Sequence, residues 1–223
     1  ATLYCLVRSS DQQSGKQRNI QNLNSYHLWQ DRHAPRIIPV IGNLCEPHLG
    51  LANHQYEHLS ECIDIIYHSA AVLNFVYPYS RLKLTNIFGT QEILRLACRK
   101  KTKFLHYVST DAVFDSSKYY DTQVVETTPP DCIEGIDLGY TQTKWVSERL
   151  VQVARERGLP VSIYRPPLIT GHSRFGAWNT EDFTCLFLKG CVELGAIPAI
   201  DARVTFVPVD YVASAIVALS QKD

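Results

Sequence analysis

Short runs of apolar and β-branched residues alternate with longer segments of helical periodicity along most of this 223-residue sequence. Several runs are apolar at nearly every position, as strands buried on both faces of a sheet must be. Strands that alternate with helices form right-handed βαβ units, so the sequence predicts an α/β fold with a doubly wound, Rossmann-like parallel sheet. The predicted strands are Thr2–Val7, Arg36–Ile41, Cys62–His68, Lys103–Val108 and Pro160–Tyr164.

The longer segments predict helices. Arg81–Cys98 places apolar residues at helical spacing and is followed by three cations, which suit a helix C-terminus. Gly139–Arg157 is followed by glycine and proline, the usual end of a helix. From about Pro166 glycine and proline become frequent. We therefore predict a cofactor-binding domain over residues 1–165 and a smaller lobe over 166–223 that faces the substrate, with helices near Glu181–Leu194 and Asp210–Leu219.

Composition excludes several classes of protein. Lys plus Arg equals Asp plus Glu at 22 each, which argues against nucleic acid as the partner. No run approaches 18 apolar residues and no charged-then-apolar leader opens the chain, so we expect no membrane span or signal peptide and a cytoplasmic location. Seven scattered cysteines without a C-x-x-C pair argue against zinc or disulfides, and His54 and His58 lack the H-E-x-x-H order, so no metal is expected.

The pair Tyr140 and Lys144 is the strongest chemical signal. A spacing of four places phenol and ammonium on one helix face, and Thr110 follows a predicted strand at its carboxyl end, where substrates bind. These three groups suit carbonyl reduction, in which an alkoxide needs a proton donor and an oxyanion partner. We expect Lys144, with an oxidised nicotinamide, to lower the pKa of Tyr140. The alternative is a surface helix with a solvated lysine.

Other residues fit a dinucleotide site. Ser69, Ala70 and Ala71 follow a buried strand and are small enough for a cofactor to approach, although an ordinary turn would also use them. Arg8 ends the first strand and Arg18 follows on the next segment, where guanidinium groups grip a ribose 2′-phosphate, which favours NADPH over NADH unless both are merely solvated. Candidate contacts to adenine are Asn43 and Leu44.

The chain carries an ordered set of short motifs over almost its whole length. Seven of them are Leu6-Val7-Arg8, Gly42-Asn43-Leu44, His68-Ser69-Ala70-Ala71, Asn86-Ile-Phe-Gly89-Thr90, Tyr107-Val-Ser-Thr110, Tyr140-Thr-Gln-Thr-Lys144 and Tyr164-Arg-Pro-Pro-Leu-Ile-Thr-Gly171. This set resembles the extended short-chain dehydrogenase/reductases. Five further motifs are Asn74-Phe-Val-Tyr-Pro-Tyr79, Gly171-His-Ser-Arg174, Asn179-Thr-Glu-Asp182, Lys189-Gly-Cys191 and Val207-Pro-Val-Asp210-Tyr-Val. With them the chain is similar to the thioester reductase domains of nonribosomal peptide synthetases, polyketide synthases and carboxylic acid reductases.

The resemblance implies an NADPH-dependent reductase that acts on an acyl or peptidyl thioester on the phosphopantetheine arm of a carrier protein. The product implied is an aldehyde, or an alcohol after a second reduction. Thr110, Tyr140 and Lys144 match the family's catalytic triad, and Asn86 an asparagine that supports it. The implied cofactor contacts are Arg8, Arg18, Asn43, Leu44, Ser69, Ala70, Ala71, Tyr140, Lys144, Pro166 and Leu168.

The sequence departs from the family pattern in four ways. It has no match to the glycine-rich turn that follows the family's first strand, and it stops at Gln221-Lys-Asp223 where family members continue, so we expect a chain truncated at both ends that begins at the second strand. Asn43 stands where the family has Asp, and Pro167 where it has Gly. Two alternatives therefore stay open: a non-catalytic or cofactor-sensing fragment, and another extended-family dehydrogenase or sugar-nucleotide epimerase.

Overall fold

The computed structural model describes residues 1–199 and 204–221. The chain divides into two compact units, the first formed by Ala1–Asn19 with Arg32–Arg165 and the second by Ile20–Asp31 with Pro166–Asp223. The division after Arg165 lies where glycine and proline become frequent in the sequence. Nothing in the sequence indicated that Ile20–Asp31 joins the second unit. Residues 200–203 and 222–223 of the predicted lobe lie outside the described residues.

The first unit contains five parallel strands, so the predicted α/β class with a parallel arrangement is confirmed. The strands form two ladders, in which β1 pairs with β2 and β4 lies between β3 and β5. Each is one to three residues shorter than predicted, since the first residues of each run lie before the ladder begins. The strands are β1 (Leu3–Val7), β2 (Ile37–Ile41), β3 (Ile65–His68), β4 (Phe104–Val108) and β5 (Val161–Tyr164).

The two ladders are separate but share one hydrophobic core. Within the described residues β1 and β3 belong to no common ladder. Both expose apolar side chains, among them Leu3 and Leu6 of β1 and Ile65 of β3. Tyr4 of β1 nevertheless packs against the same buried cluster that holds Leu105 of β4. The helices and loops of this cluster therefore hold the ladders together.

The predicted helix Arg81–Cys98 is interrupted by a π-helical turn at Leu84–Phe88. The turn is closed by a bond from the Gly89 amide to the Leu84 carbonyl, and it separates a short helix from a longer one. The second predicted helix is observed almost as expected, over Gly139–Glu156. The helices of the first unit are α2 (Asn53–Cys62), α3 (Tyr79–Lys83), α4 (Gly89–Cys98) and α5 (Gly139–Glu156), whereas α1 (Gln12–Ser25) begins in the first unit and ends in the second.

The second unit has two short parallel strands and two helices. β6 (Leu168–Thr170) pairs with β7 (Phe206–Pro208), and both are too short to leave a periodic signal in the sequence. α6 (Phe183–Leu194) begins where Asp182 accepts bonds from two backbone amides, and α7 (Val209–Ser220) follows β7 directly. No described residue of α6 or α7 is buried. None of the helices described here is long and apolar enough to cross a bilayer.

Candidate active site

The carboxyl end of β4 is the place where the predicted catalytic residues meet. α5 packs against β4, and the ammonium of Lys144 donates a hydrogen bond of 2.8 Å to the backbone carbonyl of Val108, the last residue of β4. Thr110 lies two residues further on. Tyr140 precedes Lys144 by one helical turn. Besides burial, the charge of Asp111, the residue after Thr110, raises the pKa of the Tyr140 phenol. The structure therefore gathers phenol, ammonium and hydroxyl at one strand end.

α5 can approach this strand end because it begins with glycine. A Cβ atom on Gly139 would lie 2.5 Å from the backbone nitrogen of Tyr79 and 2.6 Å from the backbone oxygen of Tyr77. Only a residue without a side chain allows this contact between the start of α5 and the start of α3. Gly139 directly precedes Tyr140, so the contact fixes the turn that carries the phenol.

Lys144 is almost completely buried, with 4% of its surface exposed. Its Nζ also donates to the phenol oxygen of Tyr107 at 3.0 Å and lies 4.5 Å from the centre of that ring. Burial lowers the pKa of Lys144 to about 8, against the opposing charge of Glu148. Two of the three ammonium hydrogens are thus bound by the protein, and one is left for a ligand.

Tyr140 behaves differently from the sequence expectation. Burial, followed by the charge of Asp111, raises the pKa of Tyr140 to about 12, whereas we expected Lys144 to lower it. The reason is that Lys144 directs its hydrogen bonds to Tyr107 and to the Val108 carbonyl. A phenol with a raised pKa stays protonated at neutral pH, which is the state that a proton donor requires.

Thr110 has weak partners within the protein. Its Oγ1 accepts from the Ala112 amide at 3.2 Å, which caps the 3₁₀ turn Asp111–Phe114, and reaches the Asp111 carboxylate only at 3.4 Å. The hydroxyl is half-buried and can turn toward a substrate carbonyl. Ser109 beside it is buried, and its Oγ has no hydrogen-bond partner among the described residues. The sequence places the hydroxyls of Ser109 and Thr110 together at this strand end, but it predicted a role only for Thr110.

Asn86 lies in the π-helical turn and is buried, with 2% of its surface exposed. Its Oδ1 accepts from the Val72 amide at 2.8 Å, while Nδ2 donates to the Val72 carbonyl at 3.1 Å and to Thr143 Oγ1 at 2.9 Å. The side-chain amide therefore ties the loop after β3 to α5. Its geometry is that of a residue that supports the site from behind.

Two cations lie near the end of β1. Arg8 and Arg18 are exposed, and Nη1 of Arg18 donates to the backbone carbonyl of Arg8 at 2.9 Å. No ion pair to either arginine occurs within the described residues. Ser69, Ala70 and Ala71 follow β3 as an exposed loop without side chains large enough to obstruct a ligand.

The residues predicted to contact adenine and nicotinamide are less clearly available to a cofactor. Leu44 is buried in the core against Gly89 of α4, and the side-chain amide of Asn43 bonds to Glu46 and to the Cys45 backbone within its own loop. Pro166 is the first residue of the second unit, and Leu168 is an exposed residue that begins β6 in the same unit.

A buried ion pair next to Lys144 was not predicted from the sequence. Glu148 is fully buried, and its Oε1 accepts from Arg165 at 2.7 and 3.0 Å and from Gln152 at 2.9 Å. Its charge raises the pKa of Lys144 and so opposes the effect of burial. The spacing of four between Lys144 and Glu148 on α5 was the available signal.

Comparison with known proteins then identifies the family. A profile of an NAD-binding family described as "Male sterility protein" matches residues 1–216. The chain belongs to this family. It is 43% identical over its full length to a linear gramicidin synthase protein of Brevibacillus parabrevis, and 41% identical over 95% of its length to the L-2-aminoadipate reductase large subunit of Eremothecium gossypii. It spans only 4% and 16% of those two proteins.

Solved structures of reductase domains have the same fold as this chain. The terminal R domain of the myxalamid PKS-NRPS pathway is 50% identical, with a TM-score of 0.90 over 99% of this chain and 56% of that domain. A thiolation-reductase di-domain from an archaeal nonribosomal peptide synthetase is 27% identical, with a TM-score of 0.79 over 99% of this chain and 60% of the di-domain. The predicted relationship to these oxidoreductase domains is confirmed.

Two further features complete the description of this family member. The seven cysteines are free thiols. Over residues 1–199 and 204–221 no group of three or more His, Cys, Asp or Glu side chains is arranged to hold a metal ion. The site described above is therefore built from hydroxyls, a phenol and an ammonium.

Proposed function

We propose that the chain catalyses NADPH-dependent reductive release of an acyl or peptidyl thioester from a carrier protein in the cytoplasm. The product is an aldehyde, or an alcohol where a second reduction follows. The observation that carries the proposal is the buried ammonium of Lys144 at the end of β4, with Tyr140 one helical turn before it and Thr110 beside the strand end. In this proposal residues 1–165 bind the cofactor, and 166–223 face substrate and carrier.

The described residues fit two ends of NADPH. The exposed guanidinium groups of Arg8 and Arg18 have no acidic partner in the described part of the chain and suit a 2′-phosphate. The free hydrogen of Lys144 suits the hydroxyls of the nicotinamide ribose. The small, exposed residues Ser69–Ala71 after β3 leave room for a cofactor to approach. No residue is assigned to the pyrophosphate.

The residues divide the reaction between them. NADPH supplies the hydride that reduces the thioester carbon. The Thr110 hydroxyl donates to the carbonyl oxygen and holds it toward Tyr140, whose phenol gives up its proton as negative charge develops on that oxygen. The thiohemiacetal then loses the thiol of the carrier arm, so one two-electron reduction yields aldehyde and free thiol.

The identity of the substrate rests on the relatives. The archaeal di-domain joins a thiolation domain to its reductase, and the relative from Brevibacillus parabrevis is part of linear gramicidin synthase. A thioester on a phosphopantetheine arm is the form in which such carrier domains hold an acyl or peptidyl chain. These relatives support a carrier protein as the partner of this chain.

The first test is a titration of the chain with NADPH, with NADH as the comparison, followed by cofactor fluorescence. We expect micromolar NADPH binding with a clear preference over NADH, because two free cations serve the 2′-phosphate. Added acyl-phosphopantetheine thioester should then cause oxidation of NADPH. The absence of binding, or equal binding of the two cofactors, would contradict the proposed cofactor.

The second test is Tyr140→Phe, which removes the proton donor and retains the ring. We expect thioester reduction to fall by about 100-fold or more while the NADPH dissociation constant stays within a few-fold. Tyr120→Phe is the control, since Tyr120 is 73% exposed. Retained turnover in Tyr140→Phe would exclude this phenol as the donor.

A further inference from the structure

A network of buried polar groups lies behind Lys144 and takes no part in the proposed reaction. The phenol of Tyr107, on β4, accepts the 3.0 Å bond from Lys144, and the side chains of Thr90 and Ser147 lie close to the same phenol. All four side chains are at least 96% buried. Such a network must satisfy each of its donors and acceptors internally.

The direction of the hydrogen bonds is fixed by the π-helical turn. Thr90 Oγ1 lies 2.6 Å, and Ser147 Oγ 2.7 Å, from the backbone carbonyl of Asn86 in that turn. Ser147 Oγ also lies 2.7 Å from the carbonyl of Thr143. Carbonyl oxygens only accept, so the hydroxyl protons of Thr90 and Ser147 point to these carbonyls.

It follows that the Tyr107 proton points away from Lys144. The oxygen atoms of Thr90 and Ser147 have given up their own protons to carbonyls, so toward Tyr107 they can only accept. The phenol can therefore direct its proton toward them while its oxygen accepts from Nζ. An ammonium group only donates hydrogen bonds, so it fits this arrangement. A neutral amine also has a lone pair, and Tyr107 would donate no hydrogen bond to it.

We propose that Tyr107 is a positioning residue that holds Lys144 in its charged form and aims its remaining hydrogen at the ligand site. The Tyr107 hydroxyl and the Val108 carbonyl take two of the three ammonium hydrogens, which leaves one direction free. The link from this geometry to catalysis rests on the proposed function. The hydrogen-bond network itself does not.

The charges around Lys144 agree with this role. Glu148, on the same helix, is the negative charge that acts on it. From β3, His68 is neutral: its Nε2 lies 2.9 Å from Thr90 Oγ1, whose proton is already given to a carbonyl, so Nε2 carries the hydrogen. From the 3₁₀ turn after β4, Asp111 acts on Tyr140.

The test is the variant Tyr107→Phe, which retains the ring over Lys144 and removes only the hydroxyl. Lysine ¹³Cε–¹⁵Nζ NMR of the ligand-free protein, with Lys144 assigned by Lys144→Arg, measures the titration directly. We expect the midpoint of Lys144 to fall by about one to two pH units, which is the effect of one hydrogen bond to a charged group. The control is Tyr56→Phe, another buried tyrosine, whose ring stacks on His48.

A second variant keeps the proposal testable if Tyr107→Phe does not fold. Ser147→Ala retains Tyr107 and removes one acceptor of its proton, so we expect a smaller shift in the same direction. In the active protein, the alkaline limb of kcat/KM should move with the NMR midpoint. An unchanged midpoint in the folded variants would overturn the proposal, whereas a shifted midpoint in a protein that binds no NADPH would support the network and reject the proposed function.

Discussion

At the scale of single residues, burial shifts the pKa values of Tyr140 and Lys144 in opposite directions. Burial disfavours the charged form of any group, and here it raises the pKa of Tyr140 to about 12 while it lowers that of Lys144 to about 8. Near neutral pH the phenol therefore holds its proton and the amine still holds its charge. A proton donor beside a cation is the combination that carbonyl reduction needs.

His68 adds a pH dependence to stability that belongs to this scale. Burial, helped by the charge of Lys144, lowers the pKa of His68 to about 3. Between about pH 3 and pH 6.5 the unfolded chain therefore binds a proton that the folded chain does not, so the free energy of unfolding falls as the pH falls through this window. The expected loss is about 1 kcal/mol per pH unit below pH 6.

Urea unfolding at pH 7 and pH 5 measures this contribution. In His68→Gln, which can still donate to Thr90, the loss between the two pH values should be smaller than in the parent protein by about 1 kcal/mol or more. His54→Gln changes an exposed histidine of α2 and should leave the loss as it is. Equal losses in all three proteins would show that His68 is not the source.

At the scale of elements, the position of α5 depends on how closely its first turn packs. A Cβ at position 139 would meet backbone atoms of residues 77 and 79, which cannot move aside as a flexible side chain can. We expect Gly139→Ala to lower the free energy of unfolding by about 1–3 kcal/mol, the usual cost of overpacking. Urea unfolding followed by circular dichroism provides the measurement.

Gly190→Ala is the matched control for this substitution. Gly190 lies inside α6, and no atom is within 4 Å of the position of an added Cβ. Alanine there should stabilise the protein by about 0.5–1 kcal/mol through helix propensity alone. The same loss at both positions would refute the packing argument for Gly139.

The elements also show what could be predicted from the sequence. The five strands of the first unit and α5 were predicted because buried strands and amphipathic helices leave periodic patterns over many residues. The π-helical turn was missed, and one of the two hydroxyls that bind the Asn86 carbonyl in it, that of Ser147, lies 61 positions along the chain and leaves no local signal. The bond between Lys144 and Tyr107 joins residues 37 positions apart and has no local signal.

At the scale of the whole molecule, the two units differ in how much they bury. α4 and α5 of the first unit each bury several residues, whereas no described residue of α6 or α7 in the second unit is buried. Local opening is easiest where few contacts must be broken. Hydrogen exchange followed by mass spectrometry should therefore show amides of α6 and α7 exchanging about tenfold or more faster than those of α4 and α5, since about 1.4 kcal/mol of opening free energy is a factor of ten.

Peptides from α2 provide an internal standard for this measurement. α2 lies in the first unit and buries three residues, Tyr56, Leu59 and Ser60. Its exchange should resemble that of α4 more than that of α6. Protection of α6 and α7 equal to that of α5 would mean that the second unit is stabilised by more than the burial of its side chains.

The separation of the two ladders has a consequence for how the chain behaves in solution. β1 and β3 share no ladder within the described residues, and both expose apolar side chains such as Leu6 and Ile65. Exposed apolar side chains on strands favour association between molecules. Recovery of soluble protein should therefore depend steeply on concentration, and dilution during refolding is the condition that favours the monomer.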